Sequence, residues 1–133
     1  MHKFDFKNQT AIITGGAQGF GLDIAKRFLE SGCNVSIWDI DENLLRKRIV
    51  EINNPNLNYN VVDVSKYAEV EKVVSEITSK NKIDILINNA GITGPTDPLW
   101  KYDVEMWNKI VQINLIGTFN CCRAIVPNMI KNN

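Results

Sequence analysis

"TGGAQGFG", residues 14–21, places four glycines in eight positions directly after the apolar run "AIIT", residues 11–14. A bare backbone between a β-branched run and a helical pattern reads as a strand-to-helix turn. A helix N-terminus presents unpaired N–H groups and roughly half a positive charge, and glycines let an anion come close to them. The turn therefore has the makings of a pyrophosphate cradle. No Gly-Lys-Ser/Thr follows, which excludes a nucleoside-triphosphate loop, and Ile24 stands where the plain GxGxxG pattern has its third glycine. A glycine turn alone also fits a tight structural bend, so its company carries the argument.

Outward from the turn, short apolar runs alternate with segments of helical period. The runs are "TAIIT" at 10–14, "NVSIWD" at 34–39, "LNYNVVDV" at 57–64 and "IDILINN" at 83–89. Their β-branched, nearly continuous apolar character predicts parallel strands buried on both faces. After the glycines, Leu22, Ile24, Ala25, Phe28 and Leu29 share a helical face that Gly32 closes. Asp41 is a candidate N-cap for "ENLLRKRIVEI", and Ser65 begins a third helical segment whose apolar stripe is Ala68, Val70, Val73, Val74 and Ile77. The alternation predicts an α/β, doubly wound parallel sheet of about four strands with right-handed crossovers and helices on both faces.

Asp39 ends the second strand, 18 residues after Gly21, where a dinucleotide fold places an acid on the adenosine ribose hydroxyls. The alternatives are a solvated carboxylate or a cap for the next helix, a job Asp41 can do. A 2′-phosphate about 4 Å from Asp39 meets a repulsion on the order of 4 kcal/mol at an effective dielectric near 20. No Arg or Lys stands in "SIWDIDEN" to offset it, so the expected cofactor is NAD(H) rather than NADP(H).

Charge and composition narrow the partners. Fifteen basic and fifteen acidic residues give a formal net charge of zero, and no basic block asks for nucleic acid or an anionic membrane. No stretch approaches the ~18 apolar residues of a membrane span, and the N-terminus has no apolar signal core, so a cytoplasmic location is expected. Cys33, Cys121 and Cys122 form neither a disulfide framework nor a metal-ligand spacing and are expected to pack, and His2 is expected to be exposed on the N-terminal tail.

With these residues in view, the chain resembles the N-terminal half of the short-chain dehydrogenase/reductase family. Thr14, Gly15, Gly19 and Gly21 match the family's TGxxxGxG motif, and Asn88, Asn89, Ala90 and Gly91 match its NNAG motif after the fourth strand. The resemblance implies a Rossmann-type fold with a nicotinamide dinucleotide across the strand ends. Gly15, Gln18, Gly19, Phe20 and Gly21 are then expected at the pyrophosphate and Asp39 at the adenosine ribose. Asp63 and Val64 are expected at the adenine, and Asn89, Ala90 and Gly91 near the nicotinamide ribose. Gln18, where NADP-preferring members often carry a basic residue, agrees with NAD(H). Asn114 in "QINLIGTF" matches the Asn of the family's catalytic tetrad, which bends its helix and holds a proton-relay water.

The resemblance also implies an oxidoreductase moving hydride between nicotinamide and a small-molecule carbonyl or secondary alcohol, most similar to 3-oxoacyl-acyl-carrier-protein reductases and their sugar and sugar-acid dehydrogenase relatives. Members are homo-oligomers, and they carry a Ser and a Tyr-x-x-x-Lys pair further along. No such pair exists here: four residues after Tyr59, Tyr67 and Tyr102 stand Asp63, Glu71 and Met106. Residues 1–133 are therefore expected to be the N-terminal portion of an NAD-binding Rossmann domain without its catalytic half, inactive and poorly soluble alone. The segment 92–102 is expected near the substrate entrance, with Trp100 and Tyr102 as packing residues. A noncatalytic dinucleotide-binding module is the alternative function, and a structural domain with an incidental glycine turn ranks last.

Overall fold

The computed structural model describes residues 4–132; His2 lies outside them. Four strands, β1 (Thr10–Thr14), β2 (Asn34–Asp39), β3 (Leu57–Val61) and β4 (Ile85–Ile87), form one parallel sheet in the order β3-β2-β1-β4. The helices α1 (Gly19–Glu30), α2 (Glu42–Ile52) and α3 (Tyr67–Thr78) make the crossovers. After β4 come a short 3₁₀ turn (Leu99–Lys101), α4 (Val104–Val111), a π-helical turn (Gln112–Ile116) and α5 (Gly117–Lys131).

The period of two along β1 and β2 divides the core into layers. Ala11, Ile13, Val35 and Ile37 face α1 and α2, where they meet Ala25, Leu29 and Leu45. Ile12 and Trp38 face the other way, onto Val70, Val73 and Val74 of α3 and Cys121 and Ile125 of α5. Burial on both faces explains why these two strands read as nearly continuous apolar runs. The fully buried Trp38 needs a partner for its indole N–H, which donates to Ser36 Oγ at 3.1 Å; Ser36 in turn donates to Asn60 Oδ1 at 3.0 Å.

The other two strands depart from expectation. β3 stops at Val61 and carries the polar Asn58 and Asn60, because it lies at an edge of the sheet. β4 is only three residues long, and its second edge faces no strand among the described residues. Val62, Val64 and Ile83 are buried, but outside the ladder.

Helix ends follow local chemistry. Asp41 caps α2, its carboxylate accepting the Leu44 N–H at 2.9 Å. α1 closes with Gly32 and Cys33 donating back to the carbonyls of Leu29 and Phe28, the paired bonds of a Schellman ending. Ser65 does not cap α3: Asp63 Oδ1 takes both its N–H at 3.0 Å and its hydroxyl at 2.6 Å, and the helix starts at Tyr67.

Three further expectations need correction. Trp100 is 83% exposed rather than packed, while Tyr102 meets Trp107 edge-on at 5.9 Å. Cys33 and Cys121 are buried, but Cys122 is only half-buried, where its sulfur accepts from Asn88 Nδ2 at 3.4 Å. Against the expected absence of a span-length apolar stretch, the continuous helix Val104–Lys131, 28 residues, is long and apolar enough by length and composition to cross a membrane. Its Cys121 and Ile125 are buried in the sheet's core, while Leu115, Phe119 and Ile130 are exposed.

Candidate functional site

In the order β3-β2-β1-β4 the chain leaves β1 toward one side of the sheet and later returns to its other side. Loops after β1 and β4 therefore diverge and leave a crevice at the carboxyl ends of the strands. A cleft of about 700 Å³ occupies that place, lined by Gly15, Gln18, Asp39, Asp63, Val64, Asn89, Ala90 and Gly91 among others.

The glycine turn is built for close packing. Gly16 N–H donates to the Trp38 carbonyl at 3.0 Å, tying the turn to the end of β2. A Cβ on Gly21 would overlap the Gly15 carbonyl oxygen and stand 2.5 Å from Asn89 Nδ2, so any side chain there forces the turn and the NNAG loop apart. Gln18 caps α1 in an extended conformation without a side-chain hydrogen bond, and no acid sits in the first helical turn. The positive end of α1 is thus left for an anion.

Thr14 and Asn89 knot the two loops together. Thr14 is 1% exposed, and its Oγ1 accepts the N–H groups of Asn89 at 3.1 Å and Ala90 at 3.0 Å. Asn89 Nδ2 donates to the carbonyls of Thr14 at 3.0 Å and Gly15 at 3.1 Å. The family motif residue Thr14 is thus a linker rather than a lining residue.

Asp39, relieved of capping by Asp41, stands at the cleft. Its Oδ1 accepts the Ile40 N–H at 2.9 Å and its Oδ2 accepts the Ala17 N–H at 3.3 Å. From α2, Arg48 Nε donates to the Ala17 carbonyl at 2.8 Å.

Opposite, Asp63 and Val64 share the wall with Ile92, Lys109 and Ile113. Glu69 accepts the Asp63 N–H at 3.0 Å; that bond, with Lys66 beside it, holds the Glu69 carboxyl below its ordinary range. Asn114 sits in the π-helical turn, where Oδ1 accepts the Ile92 N–H and Nδ2 donates to the Ile92 carbonyl, both at 2.9 Å. Its main-chain carbonyl accepts the Thr118 hydroxyl at 3.1 Å. Asn114 therefore docks the loop after Gly91 onto the long helix, one step back from the cleft.

Gly19 and Phe20 open α1 directly after Gln18 but do not line the cleft, and Phe20 is 84% exposed. Gly21 is buried beneath them. Trp38, Ile40, Leu44, Lys109 and Ile113 line the cleft without having been singled out in the sequence. Among the described residues, no three His, Cys, Asp or Glu side chains are placed to hold a metal ion.

Fold and site together define a doubly wound α/β protein with a nucleotide-type crevice at its switch point. The chain belongs to the short-chain dehydrogenase family, whose model matches residues 9–133. It is 37% identical over 128 residues to the 2-dehydro-3-deoxy-L-rhamnonate dehydrogenase (NAD(+)) of Sphingomonas sp. (strain SKA58), covering 96% of this chain and 51% of that one. It is 38% identical to the 3-oxoacyl-[acyl-carrier-protein] reductase FabG of Chlamydia trachomatis, covering 93% and 51%. The closed form of serine dehydrogenase complexed with NADP+ superposes with a TM-score of 0.88 at 30% identity, covering 93% of this chain and 50% of that one. The chain spans about half the length of the curated relatives it matches.

Proposed function

We propose that this chain holds NAD(H) for an oxidoreductase acting on a carbonyl or secondary-alcohol substrate, with sugar acids as the first substrate class and 3-oxoacyl thioesters as the second. The fit of a dinucleotide rests on three features of the cleft. The positive end of α1 has no acidic or side-chain cap of its own, the cleft has the volume for a nucleotide, and a carboxylate stands at the end of β2. Bound nicotinamide supplies or accepts hydride at C4. The residues of this chain bind and orient: Gln18, Gly19 and Phe20 offer main-chain N–H groups to the pyrophosphate, and Asp39 accepts from the adenosine ribose hydroxyls. Asp63 and Val64 bracket the adenine, while Asn89, Ala90 and Gly91 set the floor toward the nicotinamide ribose. Asn114 is assigned to the proton relay through the loop it docks. No Tyr-x-x-x-Lys lies within residues 1–133, so apart from Asn114 these residues are given cofactor binding rather than a part in proton transfer.

The observation that carries the preference for NAD(H) is Asp39, whose carboxylate lines the cleft with Asp41 beside it and Lys109 on the opposite wall. The sugar-acid relative named for NAD(+) agrees with this reading. Asp39→Asn removes the charge and keeps one oxygen to accept from either the Ala17 or the Ile40 N–H. The ratio of Kd for NADP+ to Kd for NAD+ should then fall by at least about tenfold, a conservative fraction of the ~4 kcal/mol repulsion at 4 Å. An unchanged ratio rejects the ribose assignment.

A further inference from the structure

Among the described residues, Arg48 is the basic side chain that the fold brings onto the glycine turn from outside the cleft. It is 31 residues away in sequence, its side chain is 21% exposed, and it does not line the cleft. Two contacts fix it: Nε donates to the Ala17 carbonyl at 2.8 Å, and Nη1 pairs with Glu51 Oε2 on its own helix at 2.5 Å. Ala17 is fully buried, and its N–H is held by Asp39 Oδ2 at 3.3 Å. The turn is thus gripped from two sides, by a cation on one carbonyl and by an anion on the preceding amide.

The grip falls on the peptide that matters for an anion. The Ala17 carbonyl shares a planar, trans peptide with the Gln18 N–H, so holding the oxygen sets the direction of that N–H. A charged donor on the carbonyl also polarises the peptide and makes its N–H a stronger donor. Gln18 lines the cleft and opens α1 with no side-chain cap to fix its backbone.

We propose that Arg48 is a positioning residue for the dinucleotide site, acting through the Ala17–Gln18 peptide to aim the start of α1 at the cofactor's pyrophosphate. The inference rests on the dinucleotide reading above and adds to it a residue that never touches the ligand. It separates phosphate binding from nucleoside binding, because adenosine uses Asp39 and Asp63 but not the turn.

The test measures Kd for NAD+, ADP and adenosine in the protein at its full natural length, unmodified and as Arg48→Met and Arg48→Lys. Methionine keeps an apolar stem without the donor, and NAD+ and ADP should each weaken about tenfold, the scale of one charge-assisted hydrogen bond, while adenosine changes less than about twofold. Lysine restores a charged donor and should recover part of the loss. Unchanged ADP binding, or adenosine weakened as much as ADP, overturns the proposal. If the methionine variant does not fold, Arg48→Gln supplies the same ADP-against-adenosine comparison. Unmodified protein that binds neither NAD+ nor ADP refutes the dinucleotide reading itself, whereas normal binding with indifferent Arg48 variants refutes only this inference.

Discussion

Replacing Thr14 by valine removes one oxygen from the centre of the site and leaves the shape of the side chain. That oxygen accepts two main-chain N–H groups, from Asn89 and Ala90, and donates to the Ile87 carbonyl at 3.4 Å. Valine keeps the β-branch that suits a strand end, so the change isolates the hydrogen bonds. Leaving a buried donor unpaired costs about 1–3 kcal/mol, and two such donors give roughly 2–6 kcal/mol. Asn89 and Ala90 are only half-buried, and water reaching them brings the expectation to the low end, about 2–3 kcal/mol. Thr14→Ser is the control, since it keeps the oxygen and loses one buried methyl, about 0.8 kcal/mol. Urea and thermal unfolding of the three proteins provide the assay; at about 3–5 °C per kcal/mol the valine variant should melt roughly 6–15 °C below the unmodified protein. A valine variant within about 0.5 kcal/mol of the serine variant would refute the knot as an energetic feature, since surface-like substitutions fall in that range.

Two further outcomes follow from the geometry. Gly21→Ala drives a methyl into the Gly15 carbonyl and Asn89 Nδ2, and should cost up to about 3 kcal/mol and abolish nucleotide binding. Gly19→Ala meets nothing within 4 Å and bears only the strain of its φ of +54°, about 1–2 kcal/mol, so it should fold; calorimetry that reverses this order contradicts the packing. For the thiols, burial pushes Cys121 up to about 12, and burial also raises Cys33, so both stay protonated and unreactive at pH 8. Alkylation followed by peptide mass mapping should label Cys122 first; prior labelling of Cys121 would contradict its placement.

β1 and β2 are legible in the sequence to the residue because both of their faces are buried, and burial writes an unbroken apolar run. The same rule overextends β3 and β4: Val62, Val64 and Ile83 are apolar for the sake of the core, yet lie beyond the ladder. Asp41 is readable as a cap because its carboxylate meets the Leu44 N–H directly, whereas Ser65 is misread because it folds back onto Asp63 in a turn and the helix starts two residues later, at Tyr67. In the site, the glycine turn, Asp39 and Asn89–Gly91 are visible because each is a local pattern at a strand end. Arg48 and Lys109 leave no local mark. They reach the site from α2 and α4 through tertiary packing, and their neighbours in sequence are ordinary helix-surface residues.

The π-helical turn around Asn114 also sets angular phase along the long helix. Lys109 faces the cleft and Cys121, twelve residues on, is buried in the core. At about 100° per residue, a straight α-helix would leave these two side chains about 120° apart around the axis. Taking one residue into the wide turn makes the effective separation eleven residues and reduces the difference to about 20°. One rod thereby turns side chains to the cleft and to the core from the same side. A gain or loss of a single residue between 112 and 116 would act as a rotation, turning Lys109 off the cleft with no chemical group in the site altered.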